Sequence, residues 1–378
     1  MQQKVVIACD PLFSEYGPTR PAILIARELV KMGYCVEILS TTVAQNIKQR
    51  IESMDISIID LRKKPHFKDE SIAWFESWLS EALFSLNSNN ARNLGGIVLN
   101  FSNTMAIPSK VWYAQGAPTV TLNNIRGFLP WHYRMTYGFV APVLKYLDKK
   151  STKRLARTSE TLVANSEYLA KIYRDFGVKV HGVIYPPLDC EDFRPITSRP
   201  SEDYLLTYFG KETKFPVVTK VADFGVKIKF FGSKFSKTSR ELLKHPNIEM
   251  LGHVSNEELV RLYSNALFTF YPFTDEPFGY VPVESMACGT PVLTFNRQGP
   301  IESVIDHVCG WLADSDEEIV DLAIEFWKNG YPSTMRQRCR KRALFFDAKN
   351  IAEGWNNLII HDETKSLPGD VLYHETTK

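Results

Sequence analysis

The sequence predicts an α/β fold of two doubly wound domains, each on a parallel sheet, and three observations carry that prediction. The chain has 378 residues, more than the ~250–300 at which a single hydrophobic core stops growing. Short apolar runs rich in β-branched residues alternate with amphipathic stretches, as buried parallel strands joined by crossover helices do. The alternation lapses where Pro186, Pro187, Pro195 and Pro200 sit among charged residues, then restarts. That segment reads as a linker.

The first strand is Val5-Val6-Ile7-Ala8. A helical pattern follows from Pro21 to Met32, carried by Ile23, Leu24, Ala26, Leu29 and Val30, and Gly33 closes it. Strands continue at Cys35–Leu39, Ile56–Leu61, Gly96–Phe101, Val111–Ala114, Thr161–Ala164 and Gly182–Tyr185. After the linker come Tyr204–Tyr208, Ile228–Phe231, Ile248–Leu251, Leu267–Phe270 and Val292–Phe295. The domains expected are 1–190 and 200–345. Residues 346–378 form a C-terminal helix packing back toward the first domain, plus a polar tail from His361.

Composition excludes several classes. Lys+Arg 45 against Asp+Glu 43 leaves +2, too little for nucleic acid to be held by the overall field. The closest two of the six cysteines, Cys288 and Cys309, are 21 residues apart, which fits neither a disulfide framework nor a zinc knuckle. No signal peptide and no run of ~18 apolar residues is visible, so a cytoplasmic address is expected. The turn after the first strand reads Cys9-Asp10-Pro11-Leu12-Phe13, without the glycine fingerprint of nicotinamide binding. Asp314-Ser315-Asp316 resembles a metal-binding D-x-D, but it precedes a helical pattern from Glu318 to Trp327 and reads as a helix cap.

The most informative stretch runs from Tyr271 to Val292. A strand ends in a proline-flanked loop holding Asp275 and Glu276. Gly279 allows close backbone approach, Pro282 stands near the start of a short helix, and Gly289 ends it. A helix N-terminus at the carboxyl edge of a sheet offers N–H groups and a positive dipole to an anion. Glu276 and Glu284 flank that place; carboxylates repel phosphate, so they suit hydroxyl groups of a sugar or ribose. Taken singly, each acid reads as a solvated loop or helix-surface charge.

Together, the segment from Glu276 to Val292 resembles the E-x7-E signature of family-4 glycosyltransferases, the group 1 glycosyl transferases. The likeness extends to Leu251–Leu259, Leu262–Ala266, Gly299–Val304 and Cys309–Leu312, in the first domain to Ala164–Tyr168 and Ile184–Asp189, and more weakly to the glycine loop Tyr16–Arg20. It spans roughly 4–345 and is specific at 251–312. The resemblance implies a GT-B fold, two Rossmann-like domains facing across a cleft, and transfer of a sugar from a nucleotide diphosphate donor to a glycan or lipid-linked hydroxyl acceptor. Retained anomeric configuration, no metal and no cofactor beyond the donor are implied with it. It assigns catalysis to Glu276, Lys211 and Gln115. Donor contacts fall to Gly17, Lys211, Lys214, Val254, Glu276, Pro277, Phe278, Gly279, Tyr280 and Glu284, with Glu276 at the sugar and Glu284 at the ribose.

Two departures from the family pattern stand out. The basic pair reads Gly210-Lys211-Glu212-Thr213-Lys214, with Lys for Arg and a shortened spacing, so a point charge replaces a bidentate fork. Lys214 is either the partner of Lys211 or an exposed lysine at a helix start. Gln115 stands where many members place a histidine; it hydrogen-bonds but does not titrate. The family's non-catalytic alternative, a nucleotide-sugar or partner-binding module, draws on these two departures.

From Arg126 to Arg157 eight basic residues face one acid, Asp148, among interleaved aromatic and aliphatic residues. One reading is a helix whose apolar side packs into the first domain while its lysines meet water, which helical periodicity alone explains. The other is peripheral contact with an anionic membrane. The packed helix is the simpler of the two.

Overall fold

The computed structural model describes residues 2–14, 17–91, 94–128, 131–198, 200, 203–210, 212–232 and 244–361. The chain divides into two units: 1–123, 130–187 and 348–378 form one, and 124–129 with 188–347 the other.

The first unit's strands are β1 (Lys4–Ala8), β2 (Cys35–Ser40), β3 (Ser57–Asp60), β4 (Ile97–Asn100), β5 (Ser109–Ala114), β6 (Ser159–Ala164) and β7 (Gly182–Val183). Among the described residues they make one parallel sheet in the order β3-β2-β1-β4-β5-β6-β7. Val5, Val6, Ile7 and Ala8 are wholly buried, because helices cover both faces of such a sheet. Helix α1 (Arg20–Lys31) buries Ile23, Ile25, Ala26 and Leu29, and Gly33 at φ +94° turns the chain out of it. The connections hold α2 (Gln45–Glu52), α3 (Glu70–Phe84), α4 (Pro118–Ile125), α5 (Trp131–Thr158) and α6 (Glu167–Asp175). The strand order reverses between β1 and β4, and the carboxyl ends there hold Asp10. Its buried carboxylate accepts from Ser102 Oγ, Trp74 Nε1 and the Asn103 and Thr104 N–H groups, which fixes the loop after β4.

Helix α5 departs from the packed-helix expectation. Tyr137, Leu147 and Leu155 are buried, and Asp148 turns inward to accept from the Thr119 N–H and hydroxyl at 3.0 and 2.6 Å. Trp131, Met135, Phe139, Val143 and Tyr146, however, are 56–78% exposed. Periodicity reports that a stripe exists and not what covers it. This helix buries a narrow mixed stripe and leaves its larger apolar one in solvent. No helix among the described residues is long and apolar enough to cross a membrane.

The second unit carries β8 (Leu205–Tyr208), β9 (Ile228–Phe231), β10 (Ile248–Gly252), β11 (Phe268–Tyr271), β12 (Val292–Phe295) and β13 (Gly310–Ala313). They form a parallel sheet in the order β10-β9-β8-β11-β12-β13. Strand β13 lies outside the sequence-based series. Its run Gly-Trp-Leu-Ala has no β-branched residue, and its pairing rests on close approach: a Cβ on Gly310 would stand 2.2 Å from the Val292 carbonyl oxygen.

Helices α7 (Phe215–Asp223), α8 (Asn256–Asn265), α9 (Tyr280–Ala287), α10 (Pro300–Ser303), α11 (Asp316–Asn329) and α12 (Thr334–Ala343) surround this sheet. Ser315 caps α11, its hydroxyl accepting from the Glu318 N–H at 3.0 Å, as the capping reading of Asp314-Ser315-Asp316 expects. The last described helix, α13 (Ala348–Ile360), belongs to the first unit. There the wholly buried Trp355 ring lies 4.6 Å from Phe101 and 5.1 Å from Tyr113, between ring centroids.

Candidate functional site

In a parallel sheet the carboxyl ends of all strands share one edge, where ligands bind in doubly wound folds. In the second unit that edge collects Gly210 and Glu212–Lys214 after β8, Val254 after β10, the loop 272–279 after β11 and the turn 296–299 after β12. Residues 254, 276–280 and 284, assigned to the donor from sequence, therefore come together around one edge.

Glu276 is held at both ends. Its N–H donates to Gln298 Oε1 at 2.7 Å and its carbonyl accepts from the Gly299 N–H at 3.0 Å. Its half-buried carboxylate accepts from the Tyr271 hydroxyl at 2.5 Å and, at 3.5 Å, from the Phe278 N–H. Burial pushes this carboxyl up to about 7, and the nearby Glu212 and Asp275 carboxylates push the same way against the two hydrogen bonds. Tyr271, buried, and Tyr208, half-buried, lie beside the same acids and have hydroxyls raised above the ordinary phenol range, burial being the larger cause. Asp275 is buried; its Oδ1 accepts from Asn124 Nδ2 at 2.7 Å, while Oδ2 has no partner among the described residues.

Glu284 lies on α9 and is only 3% exposed, its Oε2 accepting from the Tyr263 hydroxyl at 3.1 Å. The helix is locked to β11 by Ser285, whose hydroxyl donates to Thr269 Oγ1 at 2.7 Å. Gly279, at φ +98°, begins α9 and has no side chain with which to cap the first turn. That end keeps its dipole and N–H groups directed at the sheet edge, as an anion requires. Phe278 is buried, its ring 5.7 Å from Phe346.

Lys211 lies outside the described residues, and so does Tyr16 of the glycine loop. Lys214 is not an exposed helix-start lysine. Its side chain is 17% exposed, its ammonium pairs with Asp316 and it sits 4.8 Å from the centre of the Phe295 ring. The apolar wall of Phe295 and the acid at the start of α11 draw it inward. Gly17 and Gln115 belong to the first unit. Gly17 lies in the turn before α1, and Gln115 follows β5, its amide donating to the Phe101 carbonyl at 2.8 Å.

Tyr271, Tyr263, Gln298 and Glu212 were not singled out from sequence. Tyr271 ends a strand five residues before its partner, and Tyr263 and Gln298 reach theirs through the tertiary fold. Glu212 is the one with a sequence signal, an acid inside the basic pair Lys211/Lys214.

Residues 226–344 match the family described as Glycosyl transferases group 1. The α-1,3/1,6-mannosyltransferase ALG2 of Kluyveromyces lactis is 26% identical over 131 residues, a stretch covering 32% of this chain and 26% of that protein. The D-inositol 3-phosphate glycosyltransferase of a Mycobacterium species is 38% identical over 94 residues, covering 24% and 21%. The matched stretch thus spans about a quarter of the length of these relatives. Among solved structures, sucrose-phosphate synthase from Thermosynechococcus elongatus superposes with TM-score 0.73 at 15% identity, covering 94% of this chain and 98% of that one. Anabaena HepE in complex with UDP gives 0.66 at 15%, with the same coverage. At these identities the structural likeness shows the fold, which is GT-B.

Proposed function

We propose that the protein is a glycosyltransferase that moves a sugar from a nucleotide diphosphate donor to a hydroxyl acceptor. One observation carries the reading: two acids at one sheet edge, Glu276 and Glu284, each hydrogen-bonded by a buried tyrosine and flanking the uncapped start of α9. The ionised Glu276 carboxylate accepts hydrogen bonds from the donor sugar, and Glu284 accepts from the ribose. The α9 terminus faces the diphosphate, and Lys211, which the family resemblance assigns to the same group, supplies a point charge. As the bond from the anomeric carbon to phosphate breaks and the bond to the acceptor oxygen forms, negative charge grows on the departing diphosphate, which takes up the acceptor hydroxyl's proton, and stabilising that charge lowers the barrier. Gln115 contributes hydrogen bonds and no proton transfer. HepE, solved with UDP and with UDP-glucose, supports the donor class, and the ALG2 relatives, named as mannosyltransferases, support sugar transfer. Retention of configuration and independence of metal and cofactor belong to the proposal.

The acceptor side draws on α5. Its exposed Trp131, Met135, Phe139, Val143 and Tyr146 recur at three- and four-residue spacing, and the helix continues into Lys149, Lys150, Lys153 and Arg157. Apolar residues that enter the headgroup layer beside lysines that meet its phosphates suit the cytoplasmic face of an anionic membrane.

Calorimetry with UDP-, GDP- and dTDP-sugars, then turnover assays with glycan and lipid-linked acceptors in EDTA, tests the proposal. Donor-dependent transfer that is abolished in Glu276→Gln supports it; donor binding with no turnover favours the binding module instead. The ion pair that occupies Lys214 is the observation in the module's favour.

A further inference from the structure

The turn after β12 does something for the site that its sequence does not announce. Gln298 holds φ +57°, in the left-handed region where glycine is at home and a long side chain is not. The side chain bends back so that Oε1 takes the Glu276 N–H at 2.7 Å. The next residue completes the grip: the Gly299 N–H donates to the Glu276 carbonyl at 3.0 Å. A Cβ on Gly299 would lie 2.3 Å from Phe278 Cα and from the Pro277 carbonyl oxygen, so the two loops are pressed together backbone to backbone. Both polar groups of the Glu276 backbone are therefore held by the two residues 298 and 299.

Strained backbone persists where its surroundings over-determine it, and such strain gathers at functional sites. Glycine at 298 would relieve the strain and forfeit the acceptor. We propose that Gln298 is a positioning residue: its left-handed backbone is retained so that its amide oxygen can fix the Glu276 peptide, and with it the direction in which the Glu276 carboxylate and the Phe278 and Gly279 N–H groups meet the donor sugar. This deepens the transferase reading and rests on it. Gln298 need not touch the substrate; it acts through Glu276.

Two variants separate positioning from plain stability. Gln298→Gly removes the acceptor and the backbone strain together. Gln298→Met keeps the side-chain length and the strained φ but removes the acceptor. The readouts are Tm, hydrogen exchange over 272–279, and kcat and KM for the donor that the wild-type protein uses. The expected result is faster exchange at 272–279 and a kcat lowered about tenfold in both, the scale of one lost backbone hydrogen bond. Tm of the glycine variant should equal or exceed that of the methionine variant. Activity that instead follows Tm, with Gln298→Gly close to wild type, overturns the inference and leaves the transferase reading standing. Wild-type protein that turns over no nucleotide sugar overturns both.

Discussion

Glu276 and Glu284 are two carboxylates eight positions apart whose surroundings differ. Glu276 sits with Glu212, Asp275 and the phenols of Tyr208 and Tyr271, and burial brings its titration to about 7. A carboxylate accepts hydroxyl hydrogen bonds more strongly than its protonated form does, so donor affinity should fall on the acid side of about 7 in a calorimetric pH series, and Glu276→Gln should flatten that dependence. The same shift has a sign for stability. The folded state binds this proton more tightly than the unfolded chain does. The contribution is therefore fully present below the ordinary carboxylate value and is lost as pH rises through about 7. Glu276→Gln should consequently melt higher than wild type above that pH while losing at least about a hundredfold in kcat, measured by scanning fluorimetry and donor turnover. A variant that loses stability and activity together would remove the conflict between them. None of this was legible in the E-x7-E spacing, which locates the acids but not the tyrosines or the clamp that tune them.

At the scale of elements, the strands were the readable part. Strands buried on both faces are written as largely apolar runs, so β1, β9 and β12 can be read within a residue of their ends. Strand β13 was silent because its pairing depends on Gly310 being small, which no propensity reports. The turn at 298–299 was silent for the same reason. There Gly299→Ala should cost about 1–3 kcal/mol by overpacking and disorder the 272–279 loop, seen as a lowered Tm with faster exchange across that loop. Helix α5 shows the opposite limit: its stripe was plain in the sequence, but its partner was not. Phe139 is 78% exposed, so Phe139→Glu should change stability by no more than about 0.5 kcal/mol. It should nevertheless weaken co-sedimentation with anionic liposomes about tenfold or more, the scale of one lost aromatic anchor. Unchanged sedimentation would remove the membrane reading of that face.

For the whole molecule, two sheets of one plan were foreseeable from the restart of the strand–helix alternation after Pro200. The grouping of 124–129 with the second unit was not, because Asn124 pairs with Asp275 through contacts 151 residues apart in the chain. A ligand that binds only the folded state raises stability by about 2.7 kcal/mol at a hundred times its Kd. A melting screen against nucleotide sugars should therefore single out the donor. The most direct measurement is a crystal structure with the nucleoside diphosphate so identified. The ribose hydroxyls should lie on the Glu284 carboxylate and the diphosphate at the first turn of α9, with Glu276 open to the sugar position. A nucleotide seated away from both acids would contradict the account.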